Sequence, residues 1–467
     1  MSATQPVPTL PPPLAAPVSD ETRLAYVLRH FRLAYEAIPD VAIGYAATQP
    51  TIAVINGANG FFQTMASCPP APNYREWAGQ RVPFFFDNQS DTALLTLTTG
   101  RATINADVIS AAFFLLSGWQ EYFSDTRDRH GRFPYSASVQ QRYGFVALPV
   151  VNYYFDVLKT AVEHITGQVL QPRRWAAGAP FAAFITHDID NLRSAWKASA
   201  KAAFQQKQLL QLGQLAWQHC TQADAWDNLE AVAATTAAYG AKSTFFILPE
   251  HRLGTDGTPN ADYKISTSFR QRLVKLKERG GEIGLHGSIG TAVHGPQLGL
   301  EMKTLQHNAF GLRFHYLGWE PRITPSIVDA THGVCYDSTL GFAEHFGFRH
   351  SYCQPFYPYN FATGSAHTFL EIPLNVMDTT LHHPNYLQLR AEEILPALRP
   401  MLEEIERFGG VATVLWHNDH FDPTNTVTGP SQFAEIMSHL RERGAAFLTG
   451  SQIMIELSIR IVNGLIS

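Results

Sequence analysis

Cysteine is scarce in this chain. Four cysteines in 467 residues, at positions 68, 220, 335 and 353, are too few and too scattered for a disulfide framework, and none form a C-x-x-C pair. They read as reduced thiols, most of them buried. Long apolar runs are also missing, since no stretch approaches the ~20 residues of a membrane-spanning helix. The opening MSATQPVPTLPPPLAAPVSD lacks the basic start and apolar stretch of a secretory signal. Its prolines and small residues read as a disordered leader over 1–20, and a cytoplasmic location follows by elimination. Neither charge sign is in excess. A net charge of -5 and a pI near 6.4 give no electrostatic footprint for nucleic acid or an anionic membrane.

What is there is an ordinary globular composition, 45% hydrophobic and 16% charged, in a chain long enough for two domains. From Glu21 the first part carries a helix on Leu24, Val27, Leu28 and Phe31. Strand-like TIAVIN, VPFFFD and ALLTLTT follow, then one helix through DVISAAFFLLSGWQEYF with Asp107 as its N-cap, and another through VVNYYFDVLKTAVEHIT. The stretch QPRRWAAGAP (171–180) has linker composition and marks a boundary. An N-terminal α/β domain over 21–175 and a second domain over 178–467 are expected. In the second, short apolar strands (FAAFIT, STFFIL, EIGLH, GLRFHY, FLEIPL, VATVLW) are separated by helices that end in glycine pairs 280–281 and 409–410. That alternation indicates a parallel α/β architecture. The C-terminal SQIMIELSIRIVNGLIS reads as an amphipathic element.

In barrels of parallel strands the chemistry collects at the C-terminal strand ends. Here FAAFIT runs into His187-Asp188-Ile189-Asp190, EIGL into His286, GLRFHY carries Arg313 and His315, and VATVLW runs into His417-Asn418-Asp419-His420. Imidazole nitrogens and a carboxylate suit a divalent ion such as Zn²⁺ with a position open for water. A second carboxylate can accept a water proton, a histidine can protonate a leaving amine, and an arginine beside the carboxylate orients it.

In this order T-H-D-I-D, S-T-F-F-I-L, E-I-G-L-H-G-S, R-F-H-Y and L-W-H resemble the motif series of the NodB-type polysaccharide deacetylases, carbohydrate esterase family four. The likeness extends over 180–450, including a helical insertion at 192–225. It is nearest to a variant group with T-H-D-V-D and L-W-H-N motifs and an N-terminal domain ending in a segment like DRHGRF, here 128–133. The resemblance implies a deformed (β/α) barrel of the NodB-homology type, preceded by the separate N-terminal α/β domain. It implies hydrolysis of an acyl group, foremost N-acetyl, from an acylated saccharide, with no nucleic-acid partner and no membrane span. Asp188 falls on the base position, His417 on the acid, and Arg313 on the residue that orients the base. Asp190 and His286 fall on ligands of one divalent ion, Zn²⁺ by preference, with His315 the expected third. The family's second histidine of the H-S/T-x-x-H motif is replaced by Gly290, which leaves His315, His294 or water to stand in. A carbohydrate-binding barrel without metal and a hydrolase of another amide remain as alternative readings. Arg132 and His130 have no partner visible in the sequence, and the first domain's role stays open.

Overall fold

The computed structural model describes residues 13 and 16–462, except 255–256 and 307–309. Most of the expected leader therefore lies outside the described residues. The chain is already engaged before the first helix: the Ala16 amide donates to the Phe361 carbonyl at 2.7 Å, and Ser19 caps helix Asp20–Ala34.

The N-terminal part contributes strands β1 (Ile43–Tyr45), β2 (Ile52–Val54), β3 (Asn73–Trp77), β4 (Gln80–Phe84), β5 (Leu95–Thr98) and β6 (Arg101–Ile104). β1, β2 and β6 run parallel, β5 closes the sheet antiparallel to β6, and β3–β4 form a hairpin. Helices Asp20–Ala34, Val108–Leu116 and Val150–Thr166 pack here. The sequence reads 107–123 as one helix, but the structure breaks it at Ser117–Gly118, and a short helix Trp119–Tyr122 resumes. Gly118 turns left-handed (φ 70°) with the His350 ring against its backbone, where a β-carbon would sit 3.1 Å from that ring. Neither the backbone angle nor the space suits another residue.

The second part holds β7 (Ala182–Ile189), β8 (Ser243–Ile247), β9 (Glu282–Gly287), β10 (Gly311–Phe314) and β11 (Tyr336–Asp337), then the small hairpin β12 (Tyr359–Asn360) and β13 (Ser365–Ala366). β14 (Leu370–Glu371), β15 (Val376–Met377), β16 (Val411–Leu415) and β17 (Ala446–Phe447) complete it. Apart from the hairpin these strands form one parallel nine-stranded sheet in the order β14-β11-β10-β9-β8-β7-β16-β15, with β17 beside the start of β7. It curls into a half-barrel. FLEIPL was expected to give a full strand. Only Leu370–Glu371 pairs, because Pro373 offers no amide to a ladder.

Every residue of β7 is buried, as a central parallel strand covered on both faces requires. Strand alternation then sorts its C-terminal half. Thr186, Asp188 and Asp190 follow one face, and His187 and Ile189 the other. Across β9 and β10 the register sets Arg313 level with His286. Buried apolar side chains form a continuous cluster from Val18 to Leu440 that draws on both parts of the chain. A buried, two-pronged ion pair, Arg349 to Glu121 at 2.8 and 2.6 Å, also joins them. All four thiols are unpaired, but only Cys353 is buried, and Cys220 lies exposed on a helix. Among the described residues no helix is long and apolar enough to cross a membrane.

Candidate active site

The polar strand ends gather at the C-terminal edge of the sheet. Asp188 is the penultimate residue of β7 and Asp190 comes directly after the strand; His286 lies on β9; Arg313 is on β10 and His315 just beyond it; His417 lies two residues past β16.

The side-chain ligand atoms of Asp190, His286 and His315 all lie within 4.8 Å of one another. The two imidazoles meet edge-on, His286 Nε2 to His315 Nδ1 at 3.1 Å. Each ring's other nitrogen is committed to a backbone carbonyl, His286 Nδ1 to Arg313 O at 2.9 Å and His315 Nε2 to Pro259 O at 3.2 Å. Those carbonyls accept and never donate, so they fix the protons on the outer nitrogens and leave lone pairs on the two that face each other. Asp190 Oδ1 stands 3.4 Å from His286 Nε2 and 3.5 Å from His315 Nδ1. It is buried without a hydrogen-bond partner. Two imidazole nitrogens and a buried carboxylate oxygen converging on one point are a donor set that could hold a divalent ion.

Titration behaviour follows from the same arrangement. Burial lowers the His315 pKa to about 4 despite the pull of Asp190. Burial works the same way on His286, but Asp188 and Asp190 outweigh it and raise its pKa. Burial would raise the Asp190 carboxyl, yet His315 and His286 hold it well below the usual carboxylate range.

Asp188 sits beside this trio, its Oδ2 3.6 Å from His286 Nε2. Its Oδ1 accepts from Arg313 Nη1 at 2.9 Å. The guanidinium is fully buried and held on every side: Nη1 also donates to Thr186 Oγ1, Nε to the Ser338 carbonyl at 2.7 Å and Nη2 to Ser338 Oγ at 2.9 Å. It lies 4.5 Å over the Phe246 ring. Such a clamp leaves Asp188 one orientation, with Oδ2 turned towards the histidines.

On the other side His417 Nδ1 bonds Asp378 Oδ1 at 2.8 Å, and the His417 amide donates to Asp378 Oδ2 at 2.6 Å. His417 Nε2 faces Asp190 Oδ2 at 3.8 Å. Burial disfavours charge on His417, but Asp378 overrides it and raises the imidazole pKa well above its usual value, with Asp190 and Asp188 adding to it. Burial likewise opposes ionisation of Asp378, and His417 with His420 overcomes it. Asp378 thus favours the protonated ring of His417, whose Nε2 faces the site.

The structure thus brings all six predicted residues together. Of the candidates to stand in for the missing histidine, only His315 lies with Asp190 and His286. Gly290 occupies a left-handed turn (φ 90°) that a histidine would strain, His294 caps helix Gly295–Leu305 through the Gln297 amide, and His315 is in the trio. Sequence reasoning missed Asp378, and it named His130 and Arg132 without a partner for either. Arg132 Nη1 donates to the Tyr316 carbonyl at 2.8 Å, and the His130 ring stacks on Tyr316 at 4.8 Å, so the 128–132 loop clasps the residue after His315. His187 turns away from the site and is a core histidine bonded to the Trp416 carbonyl and Ser243 Oγ. Asn418 ties the backbone of Asn191 to that of Trp226, each at 2.8 Å.

Against known proteins, a family model described as a family of unknown function, DUF7033, matches residues 21–167. No curated protein is similar to the chain. Among solved structures, one described as a polysaccharide deacetylase from Mycobacterium smegmatis is 14% identical, covering 62% of this chain and 94% of its own, with a TM-score of 0.41. The Puue allantoinase is 10% identical over 62% and 94% of the two chains, with a TM-score of 0.39. A polysaccharide deacetylase of Pseudomonas aeruginosa PAO1 is 11% identical over 60% and 92%, with a TM-score of 0.39. Any functional reading rests on the side chains themselves.

Proposed function

We propose that the chain is a metal-dependent hydrolase that removes an acyl group, foremost N-acetyl, from a saccharide. The observation that carries this is the facing pair of imidazole nitrogens with the Asp190 oxygen, flanked by a clamped carboxylate on one side and a carboxylate-backed imidazole on the other. Two histidine nitrogens and one carboxylate oxygen are a donor set suited to Zn²⁺ with an open position.

Asp190, His286 and His315 would hold the ion, which would supply Lewis acidity towards a water and an acyl carbonyl. The remaining work belongs to the protein. Asp188, its Oδ1 pinned by Arg313, uses Oδ2 to take the proton of the attacking water. His417 carries a proton on Nε2 while Asp378 holds its other nitrogen, and it delivers that proton to the departing amine nitrogen. Saccharide as the substrate class rests on the motif resemblance, because fold alone does not fix substrate.

The test is acetate release from N-acetylated oligosaccharides by the zinc-loaded protein, compared with Asp188→Asn. Turnover lost in the variant supports the reading. Stoichiometric zinc with no acyl release from any acylated saccharide would leave the ion without this reaction and sink it.

A further inference from the structure

Directly after Asp190 the chain leaves the sheet as a helical hairpin, Ala195–Gln205 and Leu209–Thr221, and returns at Trp226. Its roots are fastened at the rim of the site. Asp262 accepts from the amides of Leu192 and Arg193, and Asn418 bonds both Asn191 and Trp226. Trp196 stacks on His219 at 4.7 Å and holds the two helices together at their base.

The outer surface of the hairpin breaks the usual rule for a helix pair. Phe204 is 69% exposed, Leu209 74%, Leu210 94% and Trp217 64%. Leu210 and Trp217, two turns apart, share a face, and Phe204 and Leu209 bracket the turn between the helices. The charge is equally one-sided. Residues 191–223 carry Arg193, Lys197, Lys201 and Lys207 and no acidic residue, so this segment is +4 in a chain that is -5. All four cations are exposed, and Lys197 and Lys201 lie at helical spacing with Phe204 on the first helix. The first acids on either side in sequence, Asp190 and Asp224, stand at the roots.

From this combination we infer that the hairpin is an interfacial membrane contact, which lays its apolar tip into an anionic bilayer while its lysines meet the lipid headgroups. Apolar side chains bordered by basic ones with no acid among them are what such a surface selects. A protein partner of ordinary charge would not require the exclusion of acids. The near-neutral charge of the whole chain conceals this segment because it averages over it. The contact needs no membrane span, and it does not depend on the hydrolase reading.

The test is co-sedimentation of the full chain with vesicles of phosphatidylcholine mixed with phosphatidylglycerol, alongside vesicles of phosphatidylcholine alone. Binding should favour the mixed vesicles, weaken as salt is raised and blue-shift Trp217 fluorescence, a shift lost in Trp217→Phe. Replacing Lys197, Lys201 and Lys207 by Gln should lower affinity by roughly fivefold per lysine. Leu209→Glu with Leu210→Glu, at exposed positions where the fold has nothing to lose, should abolish binding. His286→Ala, which removes a proposed metal ligand, should bind vesicles like wild type, so failure of the metal site and failure of this contact are told apart. Binding unchanged by the double Leu→Glu variant would overturn the inference. So would absence of vesicle binding together with self-association that the same variant removes, an outcome that makes the patch a protein interface.

Discussion

His286 Nε2 and His315 Nδ1 approach to 3.1 Å while each ring spends its other N–H on a backbone carbonyl. In this arrangement neither facing nitrogen can donate to the other unless the pair gains a proton. Asp190 Oδ1 completes the triangle.

The first prediction concerns what fills it. His286→Ala and His315→Ala should each abolish stoichiometric metal in elemental analysis, and His294→Ala should leave it intact, because His294 is occupied as a helix cap. Stripping the ion with a chelator should lower Tm and zinc should restore it, since a ligand that binds only the folded state stabilises it by mass action. Full metal content in His286→Ala would refute the assignment.

Asp188→Asn tests the base. Asparagine keeps an oxygen to accept from Arg313 Nη1, so fold and metal should survive while kcat falls by about 10²–10⁴-fold. Arg313→Met behaves differently, because it leaves Asp188 buried without its cation. Breaking such a buried pair costs about 3–5 kcal/mol, to be read as a shift in the denaturation midpoint. Arg313→Met as stable as wild type would show that the clamp contributes nothing to folding.

Asp378→Asn tests the acid at one remove. The substitution keeps the shape around His417 but removes the carboxylate that raises its pKa. Metal content should be unchanged. Turnover of an amide, whose leaving nitrogen needs a proton, should fall by about 10²-fold or more, and turnover of an activated aryl ester, which departs unaided, should fall much less. His417→Ala should show the same asymmetry. Equal losses on both substrates would remove His417 from the acid role.

Much of the half-barrel was legible because its central strands are short, largely apolar and followed by polar residues at their ends, and because chemistry at strand ends is a fold-level rule. The period of two also explains why Asp188 and Asp190, separated by Ile189, reach the same site while His187 does not. Asp378 was not legible. It follows a two-residue strand, Val376–Met377, and meets His417, 39 residues away in sequence, because that strand pairs with β16. Arg132 and Tyr316 are 184 residues apart and meet through a backbone carbonyl, which leaves no trace in residue types. The helix expected across Gly118 ends instead at that left-handed glycine, a local stop that the reading of 107–123 as one helix passed over.

The last prediction is a pH dependence that arises far from the site. His30 is wholly buried, and its Nε2 accepts from the Tyr357 amide at 3.1 Å while Nδ1 bonds the Tyr26 carbonyl at 2.8 Å. Both nitrogens are satisfied only in the neutral ring, and burial lowers its pKa to about 3. His350, buried against Gly118, is lowered to about 4, burial again the main cause. In the unfolded chain both return to about 6.5. Below that pH the unfolded state binds more protons than the folded one, so acid favours unfolding. The stability these two neutral rings contribute is complete above about 6.5 and is lost as pH falls towards their folded values, at up to about 1.4 kcal/mol per pH unit for each ring. The buried carboxyls Asp337 and Glu371, both pushed upward by burial, act with the opposite sign, so the informative quantity is a difference between proteins. Urea midpoints measured from pH 7.5 to 5 should fall more steeply for wild type than for His30→Gln, whose side-chain oxygen can accept from the Tyr357 amide without titrating. Parallel slopes for the two would mean that His30 takes up no proton on unfolding.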